Sequence, residues 1–354
     1  MTAESLQIRV RQLATVSLVC MFLIVIAGSF VRITGSGMGC PDWPKCFGYY
    51  IPPTEESTVQ LEEGRAYTKG QMVIHNDTLW IADNSFQFSS HFWLENKTNK
   101  LLKPYPKHQY AVFNVFHTWT EYINRLLTAF LGLPIFALVI LSFLYSKKIK
   151  NYTPFFLSSF TVLMILFEAW LGKLVVDKNL EGSQITLHMV GTLGILFSLV
   201  VLIVHTTKYQ AVTVSKTYQR SLWLILFMVV FQILLGTQVR EIVDIAYDNH
   251  LDRNLWLSFL LDNENAAFKI HRSFSWFIVI AAAFLFFQYQ RFKQPRAQVK
   301  LILMLIATEI LIGITLSYFN FNMILQPAHL LLSMCLSAAI MFEIQITRKH
   351  ESPR

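Results

Sequence analysis

Three histidines of this 354-residue chain, His188, His271 and His329, lie inside long apolar stretches. A polar side chain there is costly, so it marks either a hydrogen bond between helices or a site. The polar residues around them recur. Gly28-Ser-Phe-Val-Arg32 is matched by Gly236-Thr-Gln-Val-Arg240, and Asn124-Arg125 by His271-Arg272. Glu168-Ala-Trp-Leu-Gly172 is matched by Glu309-Ile-Leu-Ile-Gly313, and Gln184 with His188 by Gln326 with His329. The step from Glu168 to His188 equals that from Glu309 to His329, and both pairs shift by 141. Two inward-facing imidazoles from different helices of a bundle are what a haem iron takes as axial ligands. Zinc would need a third and fourth ligand, and none accompanies His271 and His329 at ligand spacing. For any single histidine, a hydrogen bond between helices is the alternative; repetition weighs against it. Arg32, Arg125, Arg240 and Arg272 fall at the outer ends of helices, where they would pair with haem propionates or snorkel to the interface.

The elements that must position these residues are membrane helices. The chain is 54% hydrophobic and 15% charged, with 29 Phe and 8 Trp, and its mean hydropathy is +0.43. Soluble domains carry about 25% charged residues, so a water-covered surface, disorder and a disulfide scaffold are all excluded. A bilayer core takes about 20 apolar residues per helix. Eight such spans are expected: Gln12–Val31, Val112–Tyr145, Pro154–Val176, Ile185–His205, Ser221–Val239, Ala266–Gln288, Leu301–Phe319 and Met323–Ile346. The net charge of +8 does not point to nucleic acid, because 15 of the 30 Lys and Arg fall on one side of an eight-span topology. They include Arg9, Arg11, Lys147, Lys148, Lys150, Lys208, Lys216 and Arg220. The positive-inside rule then makes both termini cytoplasmic and the connectors Ile33–Ala111 and Glu241–Asn265 extracytoplasmic. No Arg-rich, Ser-rich presequence precedes the first span, which favours a bacterial inner membrane over an organelle. The repeat makes the chain all-α, two four-helix bundles in tandem; an even number of spans per half makes the repeat parallel. The expected divisions are residues 1–33, the cytoplasmic N-terminus and span one; 34–111, the extracytoplasmic loop; 112–207, spans two to four; and 208–354, spans five to eight. Within the loop, Gln71–Asp83 reads as a hairpin around Asn76-Asp77. Cys40 and Cys46 bracket Pro-Asp-Trp-Pro-Lys where a disulfide persists, with two free thiols as the alternative; Cys20 and Cys335 read as apolar packers.

Eight spans in tandem bundles, Thr34-Gly-Ser-Gly37 followed by Cys-Pro-Asp-Trp-Pro44, Glu121-Tyr-Ile-Asn-Arg125, His271-Arg272 and Gln326-Pro-Ala-His329 together resemble the haem A synthase family over nearly the whole chain. The resemblance implies oxidation of the C8 methyl group of haem O to the formyl group of haem A, for terminal cytochrome oxidases. It implies haem b in the C-terminal bundle, ligated by His271 and His329, and the substrate haem in the N-terminal bundle, with His188 as a ligand. Haem O synthase and the cytochrome c oxidase assembly machinery are the implied partners, beside membrane lipid and an external electron acceptor; self-association stays open.

Two departures stand out. The family's second substrate-side ligand is His, and here that position is Asn124. The second Cys pair of many bacterial members is missing from Glu241–Asn265. His117, two helical turns before Asn124 on nearly the same face, is one candidate replacement, and an interfacial His117 facing water is the other reading. Glu121 matches the family's acidic residue and is the candidate catalytic group, a carboxylate able to take protons released from the methyl carbon. An ion pair with Arg125, one turn on, is its alternative role. Glu168 and Glu309 read as interhelical hydrogen-bonders. Two other classes remain: a diheme b-type electron-transfer cytochrome, and a transporter, which the parallel repeat and the clustering of polar residues in one leaflet disfavour.

Overall fold

The computed structural model describes residues 1–89, 101–177, 182–209, 212–248, 256–261, 266–290, 296–318 and 324–347. Eight of its helices are long and apolar enough to cross a bilayer: α1 (Ala3–Ile33), α2 (Val115–Ile149), α3 (Thr153–Asp177), α4 (Gly182–His205), α5 (Lys216–Asp248), α6 (Ala266–Tyr289), α7 (Ala297–Tyr318) and α8 (Leu325–Ile346). This is a multi-pass, all-α membrane protein. Each helix coincides with an expected span; α2 starts at Val115, three residues inside the expected start at Val112, and α1 and α5 run furthest past theirs. A short helix, Trp256–Leu261, lies in the connector before α6. Much of that connector, the cations Lys178, Arg291, Lys293, Arg348, Lys349 and Arg354, and the span ends at Phe319 and Met323 lie outside the described residues.

The chain forms two compact units, one of Met1–Ile26, Leu131–Glu168 and Thr186–Arg354, the other of Ala27–Phe130 and Ala169–Ile185. In the first unit α5 to α8 form a closed ring, α5 packing on α6 and α8, and α7 on α6 and α8. Leu222, Ile225, Leu285, Ile302, Met334 and Ile340 fill its core. At the end of the ring away from the histidines, Glu343 is fully buried. The hydroxyl of Tyr218 donates to it at 2.7 Å, and Arg296 donates to it at 2.9 Å. A buried carboxylate needs such partners, so these contacts fix α5, α8 and the start of α7 in register.

The second unit holds a small β element in the first long loop. Strand β1 is Ala66–Tyr67, β2 is Met72–His75, β3 is Thr78–Ala82, β4 is Phe86–Gln87 and β5 is Leu102–Pro104. Strands β2 and β3 pair antiparallel with Val73 opposite Trp80, β5 adds to β3, and β1 pairs with β4. The expected hairpin is present: Asn76 and Asp77 carry φ of 48° and 53°, the left-handed pair that a two-residue hairpin turn requires. Cys40, Phe47, Val59, Met72 and Leu79 form one apolar cluster, and Tyr122 of α2 packs against it, so the loop is seated on the first turns of α2.

Candidate functional site

His271, in the second turn of α6, and His329, in the second turn of α8, meet inside the C-terminal ring. Their ring centroids are 6.4 Å apart and their planes cross at 84°. Metal–nitrogen bonds run about 2 Å, so the spacing leaves room for one metal atom between the imidazoles. The surroundings fit a flat iron macrocycle. A methyl group at Gly236 would lie 3.5 Å from His271 Cε1, and one at Gly313 would lie 3.7 Å from His329 Cε1, so at these two positions α5 and α7 leave the Cε1 edges of the rings uncovered. Nδ1 of His271 is buried without a hydrogen-bond partner, while its backbone carbonyl accepts from Gln232 Nε2 at 2.9 Å. Among the described residues no group of three His, Cys, Asp or Glu could hold a bare metal ion. A two-imidazole donor set suits haem iron, whose other four positions the porphyrin fills.

Two histidines carry a carboxylate behind them. Nδ1 of His188 hydrogen-bonds Glu168 Oε2. Nδ1 of His329 lies 2.8 Å from Glu309 Oε2, close enough for an ion pair but out of line for a hydrogen bond. Gly191, one turn after His188, is required for the first contact. A Cβ there would overlap Glu168 Oε1.

In the second unit, Glu121 and Asn124 lie on the first two and a half turns of α2. Glu121 is 5% exposed. Its Oε2 accepts the Cys40 backbone N–H at 2.7 Å, and its Oε1 is paired with Arg125. The ion pair foreseen as an alternative is therefore present. Arg125 also donates to the carbonyls of Asp42 at 2.7 Å, Lys45 at 3.0 Å and Cys40 at 3.1 Å. One guanidinium thus ties the Cys40–Cys46 disulfide ring, which is formed, to α2. Asp42 adds an acceptor for the Gly48 N–H at 3.0 Å. Burial pushes its carboxyl up, against the opposing pull of the Gly48 N–H and Arg125. Gly39 lets the ring approach, because a Cβ would overlap the His117 carbonyl oxygen.

Asn124 Oδ1 is buried without a hydrogen-bond partner and faces Gly28, where a methyl group would stand 3.9 Å from it. Gly28 and Asn124 thus repeat the pairing of Gly236 with His271. His117 is half-buried in the first turn of α2, its backbone N–H accepted by Asn114 Oδ1 at 3.2 Å and its ring edge-on to Phe116. Of the remaining arginines, Arg240 pairs with Asp244 at 2.7 Å and donates to Gln326. Arg272 is exposed over the ring of Tyr318 at 6.0 Å, and Arg32 is half-buried in the last turn of α1.

The family model of the cytochrome oxidase assembly proteins (COX15-CtaA) matches residues 11–95 and 94–341. The chain belongs to this haem A synthase family. Within it, the chain is 26% identical over 228 residues to the Heme A synthase of Shewanella oneidensis, covering 63% of this chain and 54% of that protein. It is 24% identical over 293 residues to the Heme A synthase of Bartonella bacilliformis, covering 76% of this chain and 72% of that one. The match to the Shewanella protein thus spans about half of that relative's length.

Sequence reasoning missed Asp42, Gly39, Gly191 and Gln232. Gln232 stands one turn before Gly236 on α5, a periodicity that would have flagged it. The roles of Asp42, Gly39 and Gly191 depend on contacts with distant segments, which spacing along the chain does not encode.

Proposed function

We propose that the chain is a haem A synthase, oxidising the C8 methyl group of haem O to a formyl group, with haem b as its resident cofactor. The observation that carries this reading is the His271–His329 imidazole pair in a chain of this family. His271 and His329 would hold haem b, which supplies one-electron transfer between substrate and an external acceptor. His188, oriented by Glu168, is assigned to the substrate iron, and Asn124 matches in the sequence motif the position where the family has its second ligand. Glu121 is assigned the proton-accepting role as the methyl carbon loses hydrogen. Its pairing with Arg125 and the Cys40 N–H holds the carboxylate in one orientation between transfers. Arg32, Arg240 and Arg272 are assigned to propionates or to the interface, and Arg125 to holding the disulfide loop. The distribution of cations supports cytoplasmic termini with the disulfide loop on the outer face, and the bacterial relatives support a bacterial inner membrane. Haem O synthase and oxidase assembly factors are the partners such a product and substrate require.

Pyridine haemochrome analysis of the purified protein tests the reading. Haem b together with exchangeable haem O or haem A is expected. Fixed haem b alone would make the chain an electron-transfer cytochrome, and absence of haem would favour a transporter.

A further inference from the structure

We propose that Glu309 is a positioning residue for haem b, fixing the tautomer of His329 and lowering the reduction potential of the iron it binds, and that Glu168 does the same for His188. The inference rests on the haem ligation proposed above and goes beyond it in assigning work to two carboxylates outside the ligand set.

An imidazole presents one nitrogen to a metal and has the other left over. When a carboxylate accepts the proton on that second nitrogen, the ring is held in one tautomer and one orientation, and the ligating nitrogen becomes more basic. The His188 pair has that hydrogen bond, and at His329 a carboxylate oxygen stands at the same nitrogen within contact distance, out of line with it. Nδ1 is the nitrogen turned to the carboxylate in each, on Glu168 Oε2 in one and 2.8 Å from Glu309 Oε2 in the other, so Nε2 is the nitrogen left to coordinate. The side chains are similarly sheltered, 14% and 29% exposed for Glu168 and His188, 12% and 27% for Glu309 and His329. The other oxygen of each carboxylate is buried with no hydrogen-bond partner. A carboxylate placed only to join two helices would be expected to satisfy both oxygens; these direct one oxygen at an imidazole. At Gly191 the chain gives up a side chain, and the space is taken by Glu168. His271 differs, since among the described residues no carboxylate is paired with its Nδ1, whereas Glu309 stands 2.8 Å from that of His329. The haem b iron therefore receives one basic, fixed imidazole from α8 and one ordinary imidazole from α6, and a more basic ligand favours the ferric state.

The test is a redox titration of purified protein carrying Glu309→Gln, which keeps the shape and removes the charge. The low-spin two-histidine spectrum is expected to persist while the midpoint potential of haem b rises above that of the parent. A persisting spectrum with an unshifted potential overturns the proposal and leaves the ligand assignment standing. A parent protein without low-spin haem b overturns the ligand assignment itself. Glu309→Asp, which keeps the charge and shortens the reach, serves where the glutamine variant does not accumulate, and must shift the potential in the same direction. If neither variant accumulates with haem b, the proposal also fails, because a positioning residue is dispensable for insertion.

Discussion

At Asn124 the chain presents an amide where its own repeat presents His271. The buried, unpartnered Oδ1 facing Gly28 repeats the placing of His271 opposite Gly236. An amide is a poor axial ligand for haem iron, so under the proposed function the substrate iron takes one protein imidazole. Asn124→His is therefore expected to convert the exchangeable haem to a six-coordinate low-spin spectrum, while His117→Ala leaves haem A output unchanged. The reverse pattern would move the ligand two turns outward, to His117. The internal repeat makes this position legible in the amino-acid sequence, because polar residues are rare enough in membrane helices for four matched pairs to stand out. Asp42 is not legible there, since its burial comes from a ring of residues folding over it. Its carboxyl is raised above the ordinary value of 3.8, so the folded state favours the proton. The stabilising contribution is full below that value and is lost as pH rises through the folded pKa. Asp42→Asn should then flatten the pH dependence of thermal unfolding in that window and hold stability at neutral pH. A steeper dependence in the variant would contradict the sign.

The disulfide loop and α2 behave as one element because Arg125 joins them. Its donors reach three loop carbonyls and Glu121, and its side chain is only 15% exposed. Removing one member of such a pair leaves a buried charge without its partner, at a cost of roughly 3–5 kcal/mol. Arg125→Met is expected to lower the unfolding temperature of the purified protein and to open the loop to protease. An unchanged melting curve would show that the apolar cluster under Cys40 and Phe47 suffices alone. The eight helices were readable from hydropathy, since a bilayer imposes both their length and their composition. The β2–β3 hairpin was readable from Asn76-Asp77. The addition of β5 to β3 was not, because its partner lies about twenty residues away and nothing local in Leu102–Pro104 announces it.

For the whole molecule, the proposed orientation in the membrane rests on the charge distribution. Cysteine introduced singly at Lys148 or Lys216 should label with an impermeant thiol reagent only after the cells are opened. Cysteine at Lys69, in the loop, should label in intact cells; labelling in the opposite sense would invert the topology and put the disulfide on the reducing side. The central claim is that this chain makes haem A and needs the C-terminal histidine pair to do so. The direct measurement is chromatography and mass spectrometry of haems extracted from cells that produce haem O but no haem A of their own, with and without the chain. Haem A is expected with the parent chain. With His271→Ala or His329→Ala it should vanish, together with low-spin haem b, while the protein still inserts. Haem O unchanged in the presence of well-inserted parent protein, or undiminished haem A in both variants, would contradict the account.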